Sequence, residues 1–218
     1  LNAPKNLGAF NFIDMFESLI LRLKQKLQEP LPGLTAHVKM VPPGRAMIAD
    51  NDELHAVRES AVLVLLYPKH DNICFCLIKR PMTMRDHAGQ YSFPGGKYEQ
   101  EDTSYEYTAL REAREEIGIK PGDVQILGRL SKLYLSVSKF HITPILAFMH
   151  SKPEFIPHSF EVDSILELPL DILSDENKKT VELKTVTGML SVPCYYYRDE
   201  IIWGATAMIL AELETLLN

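Results

Sequence analysis

Residues 60–68 read SAVLVLLYP and residues 72–80 read NICFCLIKR. The first is apolar at every position from Ala61 to Tyr67, and the second is nearly so. A strand wet on one face alternates apolar and polar residues, whereas a continuous apolar run needs cover on both faces. A sheet built on such strands must lie between helices. These two runs therefore predict an α/β (α+β) domain, with a mixed sheet sandwiched between helices.

Sequences for the covering helices are present at both ends. Phe12, Phe16, Leu19, Ile20, Leu23 and Leu27 recur at three- and four-residue spacing, with charged and amide residues between them. This is an amphipathic helix, stopped by Pro30, Pro32 and Gly33. Its stripe suits either the chain's own core or a partner subunit, as in a homodimer. GATAMILAELETLL, residues 204–217, forms a second helix with Ala205, Met208, Ile209 and Leu213 on one stripe. The turn-rich MVPPGRAMIADND separates an N-terminal helix and connector, residues 1–56, from a main domain, residues 57–218.

Further strands are expected around Gln90–Phe93, in VQILGRLSKLYL and in KFHITPILAFM. EVDSILELPLDIL reads as a strand followed by a short helix begun at proline. KTVELKTVTGMLSVPCYYYRDEII, residues 179–202, reads as two more strands.

Charge and composition narrow the possible partners. A net charge of −6 argues against non-specific binding to nucleic acid or anionic lipid. No apolar run approaches the ~18 residues of a membrane span. LNAPKNLGAFNF lacks the basic-then-apolar order of a secretory signal. Cys74, Cys76 and Cys194 make an odd count with no disulfide pattern, so a reducing, cytoplasmic setting is expected.

The chemistry is concentrated in FPGGKYEQEDTSYEYTALREAREEIGI, residues 93–119. Thr103 and Glu106 fit a capping box, and Asp102 adds negative charge at the helix N-terminus. The apolar stripe of the helix is Ala109, Leu110, Ala113 and Ile117, and Gly118 is its stop. Glu112 lies three residues from Glu115 and four from Glu116, so all three carboxylates share one face. Arg111 is four residues before Glu115 and within pairing distance of it.

Three like charges on one face repel unless a cation joins them. Carboxylates are hard oxygen donors suited to Mg²⁺ or Mn²⁺, and magnesium held this way also takes substrate phosphates. Gly95 and Gly96 allow a sharp turn that brings peptide groups up to a metal or phosphate. The combination points to phosphorus chemistry, with a metal neutralising a diphosphate and a carboxylate activating water.

These residues resemble the Nudix box. Arg111, Glu112, Ala113, Glu115, Glu116, Gly118 and Ile119 match its second half, and one extra loop residue shifts Gly96 and Asp102 a position early. That longer loop, with Arg85, Gly89, Phe93, Pro94, Gly95 and Gly96 in RDHAGQYSFPGG, is similar to the coenzyme A diphosphatase branch. The Thr-containing portion expected upstream is replaced by CLIKRP. The likeness covers about residues 57–217. It implies a Nudix fold with an extra N-terminal helix, and Mg²⁺- or Mn²⁺-dependent cleavage of the diphosphate linkage of coenzyme A or acyl-CoA. The rival readings are hydrolysis of ADP-ribose, a dinucleotide or a nucleoside triphosphate, and a silent nucleotide-sensing module.

The resemblance also assigns roles. Glu112, Glu115 and Glu116 bind metal or activate water, helped by the Gly96 carbonyl and by Glu161 from a loop. Arg111 orients Glu115. Arg85 binds substrate, with Gly95, Lys79, Arg80 and Lys97 as further contacts for a small, CoA-like nucleotide. His87 is a surface residue or a phosphate contact. Trp203 and Tyr195 to Tyr197 either stack an adenine or pack in the core.

Overall fold

The computed structural model describes residues 12–44, 57–84, 87–136, 139–185 and 188–218. One mixed sheet comprises β1 (Arg58–Lys69), β2 (Asn72–Lys79), β3 (Tyr91–Ser92), β4 (Gly95–Lys97), β5 (Gln125–Arg129), β6 (Leu133–Leu135), β7 (Phe140–Phe148) and β8 (Ser164–Pro169). Strand β1 runs parallel to β7, from Arg58 opposite Phe140 to Leu66 opposite Phe148. It pairs antiparallel with β2 and with β4.

The expected two-sided burial is present. Leu63, Leu65 and Tyr67 of β1 face a core completed by Ala109, Ala113 and Ile117 of α3 (Tyr105–Ile117). Val64 and Leu66 face a second core. That core is closed by Phe16, Ile20 and Leu23 of α1 (Phe12–Lys26) and by Met208, Ile209 and Leu213 of α4 (Gly204–Leu217). The alternation of side chains along β1 thus builds both cores from one strand.

The N-terminal stripe is seated on the chain's own core. A short helix α2 (Leu34–His37) follows it and is anchored by a buried contact of 3.0 Å between His37 Nε2 and Glu212 Oε2 of α4. The backbone N–H groups of Gly33 and Ser131 also donate to Glu212, each at 3.2 Å to Oε1. The connector expected at residues 40–52 falls largely on residues 45–56, outside the described ones.

Four local expectations are corrected. VQILGRLSKLYL is not one strand but β5 and β6. Leu130 N still reaches Pro144 O of β7, but Ser131 N is diverted to Glu212, and the ladder with β7 lapses there. The C-terminal segment forms three strands rather than two: β9 (Lys178–Thr185), β10 (Gly188–Tyr197) and β11 (Glu200–Trp203), in a separate antiparallel sheet. Its second hairpin turns at Arg198 and Asp199, with φ of 52° and 65°. Neither residue carries the Asn-Gly signal of such a turn.

The glycine pair lies in β4 rather than in a free turn, with Gly95 opposite Val62 and Gly96 opposite Ala61. Finally, α3 is capped by Ser104, whose Oγ accepts Tyr107 N–H at 3.1 Å, not by Thr103. Glu106 is drawn to Arg129, with oxygens 2.6 and 2.9 Å from its guanidinium.

Candidate active site

The site lies where β4 meets α3. Glycine is required in β4 because β1 lies against it: a Cβ on Gly95, at φ 153°, would come 2.5 Å from Val62 Cα. A Cβ on Gly96 would come 2.5 Å from Glu112 Cδ, so the Glu112 carboxyl rests directly on that glycine. The N–H of Gly95 donates to Glu116 Oε2 at 2.9 Å. The two glycines and two of the three helix glutamates therefore form one unit.

Glu116 is buried, with 5 % of its surface exposed. Burial pushes its carboxyl up to about 8, and the charges of Glu112 and Glu161 push the same way. The Gly95 N–H and the Arg80 guanidinium oppose this shift. Glu112 is half-buried and also raised, by burial first, with Glu115 and Glu161 adding to the shift and Arg111 opposing it. Glu115, one step round the helix, is exposed.

Glu161 lies on the exposed loop before β8, and both buried glutamates feel its charge. Backbone bonds bring that loop to the end of α3: Ile156 N donates to Ile117 O at 2.9 Å and His158 N to Glu116 O at 2.8 Å.

Arg111 does more than orient Glu115, which it meets at 3.4 Å. Its Nε and Nη2 donate to the two oxygens of Asp102, each at 3.0 Å. Nη1 donates to Glu112 Oε1 at 2.8 Å, and Nη2 also to Lys97 O at 3.0 Å. Asp102 is buried and accepts from Thr108 Oγ1 and Glu99 N, at 2.8 and 2.9 Å. The Arg111 bonds hold its carboxyl down at about 2. From the sequence, Asp102 is an acid at the helix N-terminus and the shifted acidic position of the box, with no partner assigned to it. Its place nine residues before Arg111, in the lengthened loop, was the available signal.

The basic residues divide. Arg80 has a buried Nε without a hydrogen-bond partner, and its charge acts on Glu116. Lys79 is instead engaged by Glu200 at 3.6 Å and sits 5.2 Å from the Tyr91 ring centroid. Lys97 exposes its side chain and lends its carbonyl to Arg111. Arg85 lies outside the described residues. His87 is exposed, with Nδ1 2.9 Å from Gln90 Oε1. Tyr195 is fully buried and donates to Glu214 at 2.6 Å, so it packs in the core and cannot stack a base. Trp203 is half-buried opposite Cys194. A cleft of about 500 Å³, lined in part by Leu19, Asn72, Ile73 and Leu173, opens at the other end of β2, away from these carboxylates.

Among the described residues, no three His, Cys, Asp or Glu side chains form a ready-made metal cage. Arg111 holds Glu112, and the Gly95 N–H holds Glu116. The donor set nevertheless fits a hard divalent cation. It offers only oxygen, and two of its carboxylates are raised by burial and by neighbouring negative charge, which a cation would relieve.

A two-sided sheet whose glycine strand presses on a helix of paired glutamates defines the class. The NUDIX domain family matches residues 57–186, and the chain belongs to that family. It is 36 % identical over 161 residues to the uncharacterized Nudix hydrolase NudL of Pectobacterium atrosepticum, covering 73 % of this chain and 83 % of that protein. It is 34 % identical to the mitochondrial Nudix hydrolase 15 of Arabidopsis thaliana, over 70 % of this chain and 56 % of that one, so it spans little more than half of the plant protein. The crystal structure of a MutT/nudix family protein from Enterococcus faecalis shares the fold, with TM-score 0.50 and 14 % identity over 100 % of this chain and 76 % of that one. No helix among the described residues is long and apolar enough to cross a membrane.

Proposed function

We propose that this Nudix hydrolase cleaves the diphosphate linkage of coenzyme A or acyl-CoA. The products would be 4′-phosphopantetheine, or its acyl form, and adenosine 3′,5′-bisphosphate. One observation carries the hydrolytic reading: the buried Glu116 carboxylate lies within reach of the Arg80 charge, and the Arg80 Nε is buried without a partner. Anion-binding and cation-binding groups thus converge on one spot, as a metal–phosphate pair requires. The CoA reading is supported by the spacing from Arg85 through Gly89 and Phe93 to Gly96.

Glu112, Glu115, Glu116, Glu161 and the Gly96 carbonyl would hold Mg²⁺ or Mn²⁺. The bound cation supplies charge neutralisation at the diphosphate. Arg80 and Arg85 grip phosphate oxygens, with Lys97 at the rim. A helix carboxylate takes the proton of the attacking water as the bridging P–O bond breaks. Asp102 locks Arg111, and Arg111 holds Glu112 in place through its 2.8 Å bond.

The test is product analysis. Purified protein is incubated with Mg²⁺ or Mn²⁺ and CoA, acyl-CoA, ADP-ribose, a dinucleotide or a nucleoside triphosphate, and product masses are followed. Adenosine 3′,5′-bisphosphate as the leading product supports the reading. Preferential consumption of ADP-ribose, a dinucleotide or a triphosphate would replace the substrate and leave the chemistry. Binding without turnover of any of them would mark a silent module.

A further inference from the structure

Helix α1 has a second face besides the one that Phe16, Ile20 and Leu23 bury in the core. Asp14, Met15, Ser18, Leu21, Arg22 and Gln25 are all exposed and recur at three- and four-residue spacing, so they share one stripe. Met15 and Leu21 keep 47 and 61 % of their surface in water. Met15, Ser18 and Arg22 also line the cleft of about 500 Å³, together with Leu170, Leu173 and Leu217. Exposed apolar side chains that run on into an apolar cleft form a surface suited to a protein partner.

Charge along this helix is ordered. Asp14 lies in its first turn, and Lys24 and Lys26 lie in its last. Arg22 closes the basic end of the stripe, where its Nη2 donates to Leu217 O at 2.8 Å and so holds the guanidinium in place. Ser18 is the midpoint, four residues from both Asp14 and Arg22 and three from both Met15 and Leu21. Such a stripe is its own complement when a copy is laid antiparallel across it. A two-fold axis through Ser18 sets Asp14 against Arg22 of the copy and Met15 against Leu21 of the copy, each contact made twice. The small serine at the axis lets the two helices approach closely.

We propose that the exposed stripe of α1 binds a second copy of this chain, with the two helices antiparallel about Ser18. The dimer is independent of the substrate reading, because the stripe lies away from the carboxylates of α3. A second copy suits the stripe better than an unrelated chain, since one register satisfies its apolar pair and its charged pair together. An anionic membrane surface suits it less, because the stripe carries Asp14 and the chain has a net charge of −6.

The test is sedimentation equilibrium of the full chain from micromolar to millimolar concentration, with thermal melts to confirm that each variant folds. It uses wild type, Leu21→Glu, Asp14→Arg and Arg22→Asp. Wild type should dimerise, and Leu21→Glu should weaken the dimer at least ~10-fold, because an apolar side chain is lost from the interface twice. Asp14→Arg and Arg22→Asp each set like charges across the axis and should each weaken it at least ~3-fold. Mixed in equal amounts, these two variants should pair with each other more tightly than either pairs with itself, since one then brings only cations to the axis and the other only anions. A wild type that stays monomeric at millimolar concentration would overturn the proposal. So would a dimer that Leu21→Glu leaves unchanged, or charge variants whose mixture associates no better than either alone.

Discussion

Arg111 and Asp102 face each other across nine residues through two bonds of 3.0 Å, a fork-to-fork pairing that joins the lengthened loop to α3. Asp102 is buried there, so removing one partner leaves the other charge uncompensated. Asp102→Asn should lower unfolding stability by about 3 kcal/mol, measured by urea denaturation at pH 7. Because its folded carboxyl is depressed to about 2, the stabilisation is present above the unfolded value near 4 and is lost as pH falls toward 2. The Asn variant should show a flatter stability profile across that window.

Glu116 has the opposite sign. Its folded carboxyl is raised to about 8, so the metal-free protein is penalised increasingly as pH climbs from the unfolded value near 4.5 through 8. Glu116→Gln should therefore raise the Tm of the metal-free protein at pH 8 and leave it little changed at pH 5. The same substitution should reduce turnover by ~100-fold or more, since it removes a charge from the cation-facing side. A metal-free Tm unaltered at pH 8 would show that Glu116 is not a strained buried acid.

The two glycines should separate stability from activity. Gly95→Ala drives a methyl into the β1 backbone at Val62 and should cost several kcal/mol, read as a large fall in Tm. Gly96→Ala drives it into the Glu112 carboxyl, a side chain that can move. That variant should fold with little loss and yet lose most of its kcat. Circular dichroism melts together with initial rates distinguish the two cases.

The parts of the fold that rest on burial were legible in the sequence. Ala61 to Tyr67 is apolar at every position because β1 feeds one core through Leu63 and Leu65 and another through Val64 and Leu66. The helix glutamates were legible from spacing alone. What escaped depends on partners distant in the chain. Nothing near Ser131 announces that its N–H is claimed by Glu212, yet that bond separates β5 from β6. Arg198 adopts left-handed backbone although arginine is not among the residues that favour it. Asp102 reads as a helix-end acid until Arg111 folds back onto it.

His37 and Glu212 extend the same lesson to stability. Burial pushes Glu212 up, but the His37 contact and the Ser131 N–H outweigh it, and the folded carboxyl lies below its ordinary value. That stabilisation is present above the unfolded carboxylate range and is lost as pH falls through the folded value. His37→Ala leaves the buried Glu212 short of a partner and should cost about 3 kcal/mol, while kcat per folded molecule is preserved. Equal stability of the variant and wild type in denaturant titration would show that residues 34–37 rest on the domain without supporting it.

The most direct measurement is a competition. CoA, ADP-ribose and a nucleoside triphosphate are mixed at equal concentration with Mg²⁺ and either wild type or Glu112→Gln, and the products are followed by mass. The account predicts that wild type consumes CoA first, releases adenosine 3′,5′-bisphosphate, and stops when EDTA is added. The Glu112→Gln rate should be at least ~100-fold slower. Hydrolysis that persists in excess EDTA, or a Glu112→Gln variant as fast as wild type, would contradict the assignment of chemistry to the α3–β4 carboxylates.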